Sequence, residues 1–140
     1  MARYVKLAED TLRLVGPDHP DTLAAQASLA MADAEGGRTS AAAAAAAQVL
    51  EGFLRVLGPD HPRTLIVRSN LARLRGELGD VAAAMAETAE IAKDCLRVLG
   101  PAHPDTLAVQ SNLVYWQSEN GDVAEAVAVY RQLAEDVARI

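Results

Sequence analysis

Apolar side chains recur along this chain at three- and four-residue intervals, the spacing of one helix face. Val5, Ala8, Leu12 and Val15 form such a stripe near the start, and Val123, Val127, Tyr130, Leu133 and Val137 form another near the end. Two kinds of punctuation interrupt the pattern. One is Val15-Gly16-Pro17-Asp18-His19-Pro20, with copies around Gly58, His61 and Pro62 and around Gly100, His103 and Pro104. Gly takes the left-handed conformation that closes a helix, and the proline after it forbids continuation. Pro20, Pro62 and Pro104 suit the first position of a new helix, where a missing N–H costs nothing. His19 or Asp18 is then the N-cap. The other punctuation is Gly37-Arg38, Gly79-Asp80 and Gly121-Asp122, a tight turn between antiparallel helices.

These signals predict helices over roughly 20–35, 62–78 and 104–120 (the A type) and 38–57, 80–99 and 122–139 (the B type), with a further B-type helix over 2–15. The landmarks keep a single period: Leu12–Leu23 repeats at Leu54–Leu65 and Leu96–Leu107, and Ser28-Leu29 repeats at Asn70-Leu71 and Asn112-Leu113. The chain reads as one domain over 1–140: an orphan B helix (1–15), then repeats at 16–57, 58–99 and 100–140.

Composition agrees with an all-α fold. Alanine is the most abundant residue, and aromatics make up only 4%. Alanine is the best helix former, and its small side chain allows close helix contact. Gly52 weakens its helix by roughly 1 kcal/mol relative to Ala. A net charge of −6 gives no general case for nucleic acid or anionic membrane as partner. The single cysteine, Cys95, excludes an internal disulfide and is read as a buried small hydrophobe. There is no signal-peptide h-region and no span-length apolar run, so the expected location is cytoplasmic. Arg far outnumbers Lys and Ala is abundant, a compositional hint of a bacterial source.

The motifs Leu-Gly-Pro-Asp-His-Pro-Arg-Thr-Leu at 57–65, Ser-Asn-Leu-Ala at 69–72 and Gly-Asp-Val at 79–81 with Ala84 resemble the tetratricopeptide repeat. The 42-residue period resembles that of kinesin light chain. Ser111-Asn112-Leu113, Gly121-Asp122-Val123, Ala126 and Tyr130 add to the likeness, while Ser28 and Arg38 depart from it. The resemblance implies a right-handed superhelical solenoid of antiparallel helix pairs, with A helices lining a concave groove and B helices outside. It also implies a groove formed by Ala24, Ser28, Met31 and Glu35, then Ile66, Asn70, Arg73 and Glu77, then Ala108, Asn112, Tyr115 and Glu119. The implied activity is non-enzymatic capture of a peptide or helix from a protein partner.

The residues allow several readings at these positions. Asn donates to and accepts from a peptide backbone, so Asn70 and Asn112 are either clamps on a partner or bonds that fix repeat stacking. The middle A helix carries Arg63, Arg68, Arg73 and Arg75 between acidic neighbours, which is either an attraction for an acidic peptide or an ordinary solvated face. Of these, only Arg73 is expected to face the groove. Tyr115 is expected in the groove and Trp116 in the core. Three histidines, each one period from the next, stand about 10 Å from each other in a stacked solenoid, too far to share one metal. They are expected to serve the turns, and neither metal nor cofactor is expected. No catalytic motif is present. Both ends are expected to leave apolar side chains exposed, at a cost of roughly 4–8 kcal/mol. That predicts either self-association through the terminal helices or excision from a longer array. A small helical enzyme or small-molecule binder is the remaining alternative.

Overall fold

The computed structural model describes residues 2–139 and contains seven helices among them. They are α1 (Ala2–Val15), α2 (Pro20–Glu35), α3 (Thr39–Val56), α4 (Pro62–Glu77), α5 (Val81–Leu99), α6 (Pro104–Glu119) and α7 (Val123–Ala138). Each starts and stops within two residues of the punctuation in the sequence. Glycines at 16, 37, 58, 79, 100 and 121 all have φ between 85° and 105°, so one such glycine stands at every turn, evenly spaced along the chain. A side chain at such a φ is strained, which is why the turns recur at glycine.

The turns close by backbone bonds. The amides of Arg38, Asp80 and Asp122 reach back five residues to the carbonyls of Asp33, Arg75 and Gln117, at 2.9, 3.1 and 2.8 Å. This back-bonding satisfies carbonyls that a helix end would leave bare. At the other kind of turn the histidines act as caps. The Nδ1 atoms of His19, His61 and His103 accept the amides of Asp21, Arg63 and Asp105 at 3.1, 3.1 and 3.0 Å. Pro20 and Pro104 then occupy the first helical turn. Buried threonines follow two residues after each proline. The Thr22 hydroxyl donates to the Gly16 carbonyl at 2.6 Å, and the Thr106 hydroxyl donates to the Cys95 carbonyl at 3.2 Å. The buried Thr64 hydroxyl has no hydrogen-bond partner among the described residues.

The chain divides into two compact units, one ending at Leu74 and one starting at Arg75. In the first, Leu23, Val49, Phe53 and Val67 form one buried cluster. Ala42, Ala46, Leu71 and Leu74 form another, flanked by Met31 and Ala34. The beginning of α4 therefore lies across α2 and α3. Gly52 lets Leu23 approach so closely that a Cβ there would stand 2.7 Å from Leu23 Cδ2. The helix penalty of this glycine is thus offset by contact. In the second unit Ala84, Thr88, Ile91 and Cys95 of α5 are buried, as are Val109, Leu113 and Trp116 of α6. Trp116 lies against Gly76, where any Cβ would overlap its ring. Full burial of such large side chains is worth about 1.5–3 kcal/mol each.

Candidate interaction groove

The groove residues of the first unit are brought together. Side chains at i, i+3, i+4 and i+7 share a helix face, which aligns Ala24, Ser28, Met31 and Glu35 on α2. These four, with Ile66 and Asn70 of α4, line one open cleft of about 390 Å³. Phe53 and Val67 form part of its floor and Tyr4 of α1 part of its wall. Ile66 is an exposed apolar side chain in this wall, and Asn70 is half-buried beside it. The surface is therefore apolar at its centre, with an amide, a hydroxyl and charges at its rim.

One expectation about charge changes. Arg63, rather than Arg73, lines the cleft, and its Nη1 lies 3.6 Å from an Asp21 carboxylate oxygen. Arg63 stands in the first turn of α4, one helical turn ahead of Ile66, and helical side chains lean towards the N-terminus. Arg73 lies half-buried outside the cleft lining, with Nη2 3.9 Å from Met31 Sδ. Arg75 pairs with Glu87 at 2.6 Å, so part of the arginine cluster is spent on ordinary ion pairs. Exposed pairs of this kind are worth about 0–1 kcal/mol.

In the second unit the groove positions fall along one face of α6. Asn112 is half-buried, while Tyr115 and Glu119 are exposed. The Tyr115 ring packs edge-on to Trp116 with centroids 4.7 Å apart. One aromatic is thus anchored in the core and holds the other at the surface. Glu77, at the end of α4, is also exposed. Arg38 makes no side-chain cap and instead pairs with Asp33 at 3.0 Å, whereas Asp80 caps α5 through the Ala83 amide at 3.3 Å.

Sequence reasoning gave no role to the recurrent threonines or to Gly76. The signal for the threonines was present, since Thr22, Thr64 and Thr106 share the register of the repeat. Gly76 carried none. Among the described residues no group of three His, Cys, Asp or Glu side chains is placed to hold a metal ion. No described helix is long and apolar enough to cross a membrane. The Asp136 carboxylate is buried on α7, bonded by Gln132 at 3.1 Å and Arg139 at 3.4 Å, and does not line the groove.

Helix pairs of near-constant length, joined by two alternating turns and burying their faces against the next helix, make this an all-α helical repeat solenoid. The family model of the tetratricopeptide repeat matches residues 22–63. The chain is similar to the nearly identical TPR-like repeats of a Podosopora anserina protein assigned as a kinesin light chain, with 27% identity and a TM-score of 0.83. A point variant of that protein gives 27% identity and a TM-score of 0.84. Each comparison covers 97% of this chain and 64% of the other. The chain thus spans less than two thirds of these relatives. BtubC (BKLC) from P. vanneervenii shares the fold, with 21% identity, a TM-score of 0.83, and coverage of 99% and 58%. No curated protein matches the sequence. The chain thus carries a tetratricopeptide-repeat match over part of its length and a fold similar to that of these repeat proteins.

Proposed function

We propose that this chain is a non-enzymatic protein-interaction module that holds a peptide or helix of a partner protein along its A helices. The observation that carries the reading is the open apolar cleft between α2 and α4, rimmed by Ser28, Asn70 and Arg63. Met31 and Ile66 supply apolar contact, and the Asn70 and Asn112 amides supply both donors and acceptors for a peptide backbone. Tyr115, held by Trp116, is a pre-positioned aromatic of the kind that concentrates binding energy. Arg63 favours acidic side chains on the partner, although Asp21 competes for it.

The test is capture of partners from the native host with the chain and with an Asn70→Ala, Asn112→Ala double variant. Partners that bind the groove are lost from the double variant while its helical content stays unchanged. Equal capture by both proteins refutes groove binding.

A second reading is association of copies through α1. Leu7, Leu12, Leu14 and Val15 are exposed on this helix. Light scattering across a concentration series checks it, and a constant monomer mass rejects it.

A further inference from the structure

The three histidine-capped turns are alike in one respect and unlike in another. A backbone N–H can only donate, so the Nδ1 atoms of His19, His61 and His103 accept it only while they carry no proton. Imidazole changes charge between about pH 5 and about pH 8. All three side chains reach solvent, so a proton competes with the amide for one lone pair. What the proton meets depends on the residue two positions on. At His19 it meets Asp21, whose Oδ2 stands 3.8 Å from Nδ1. At His103 it meets Asp105, at 3.9 Å. At His61 the same position is Arg63.

The surroundings of His61 supply no substitute. Among the described residues it forms no ion pair, either with Asp60 beside it or with any other carboxylate. From α2, Asp21 reaches the Arg63 guanidinium at 3.6 Å and is shared with His19. From α3, Arg55 is turned to Asp18 at 2.8 Å. The first turn of α4 holds no acidic residue, whereas Asp21 and Asp105 stand in the first turns of α2 and α6. The start of a helix is its positive end, so a cation there is unfavourable unless an anion accompanies it. An imidazolium at His19 or His103 has that anion, and one at His61 has a guanidinium instead. Capping and protonation exclude each other at this atom, so acid favours the uncapped α4.

We propose that the turn between α3 and α4 is a proton-sensitive joint. A proton on His61 Nδ1 removes the cap of α4 with nothing to replace it, while the turns before α2 and α6 exchange their cap for an ion pair and hold. The first turn of α4 then slackens, and Arg63 leaves the cleft wall that it lines at neutral pH. That acid thereby weakens capture of a partner rests on the function proposed above, whereas the slackening itself does not.

Residue-resolved hydrogen exchange on the whole chain tests the joint. The amides of Leu23, Leu65 and Leu107 close the first turn of α2, α4 and α6 onto the carbonyls of the three histidines, at 3.1, 3.0 and 3.1 Å. Between about pH 8 and about pH 5, protection at Leu65 relative to intrinsic exchange should fall about fivefold, and at Leu23 and Leu107 less than about twofold. His61→Asn keeps a cap that takes no proton and should hold Leu65 at its neutral value. Arg63→Asp gives His61 the carboxylate that the other histidines have and should do the same. Asp105→Arg should make Leu107 as sensitive to acid as Leu65. Circular dichroism at neutral pH checks that each variant is folded. Equal losses at the three leucines overturn the proposal, as does a loss at Leu65 that persists in both His61→Asn and Arg63→Asp. A failure of groove binding leaves these exchange rates untouched, so the two readings fall separately.

Discussion

The α2–α3 pair and the α6–α7 pair follow one plan and reach opposite states. In the first, Ala42 and Ala46 lie buried under Leu71 and Leu74. In the last, Val123, Val127 and Tyr130 occupy the equivalent face and remain exposed. Helix formation does not separate the two pairs, since both have similar helices, glycine turns and histidine caps. What separates them is cover: α4 lies on the first face, and among the described residues nothing lies on the last. In this architecture a helix pair has apolar stabilisation only to the extent that a neighbour covers it. The contrast therefore divides substitutions into those that break a filled contact and those that touch an unfilled one.

The largest effect tests that division directly. Leu74→Ala, in the covered cleft, should cost about 2–5 kcal/mol, while Tyr130→Ala in the open one should stay within about 0.5 kcal/mol. Urea denaturation of both variants measures it. Equal losses would mean that the open cleft contributes to the isolated chain after all. Next come the two close-approach glycines. Gly76→Ala forces a Cβ into the Trp116 ring, and overpacking of this kind costs about 1–3 kcal/mol, of which a better helix former returns about 1 kcal/mol. Gly52→Ala meets the end of a Leu23 side chain, which can turn aside, so its melting temperature should fall less. The smallest effect concerns the threonines. Thr22→Val removes a bonded hydroxyl and should cost about 1 kcal/mol, whereas Thr64→Val removes an unbonded one and should be nearly neutral or stabilising. Comparing the two denaturation midpoints checks this pair.

Much of the fold was legible in the sequence because its determinants are local. Gly, Pro and His act on their own turn, so the helix boundaries emerge within two residues of where those signals place them. Tyr115 and Trp116 were separable for the same reason, since neighbours on a helix point to different faces. The contacts that lock the repeats together were less legible. Gly52 reads as a helix defect until Leu23, far away in sequence, is seen against it. Gly76 offers no pattern at all that names Trp116. The place of Arg63 in the cleft depends on how a long side chain leaves the first turn of α4, which spacing along the chain does not give. Pairwise fits across many residues leave no period in one sequence.

The even spacing of the turn glycines has a consequence for how such a chain changes length. They act as a ruler on which one division is a helix and two divisions are a change of face and back again. Excision of 59–100 would join Gly58 to Pro101, the same dipeptide that the register already uses at each such turn. Excision of a single division would instead bring an outer-type helix to a place that needs an inner one. Growth and shrinkage of this molecule are therefore quantised, and the unit of heredity it can gain or lose without disorder is the pair.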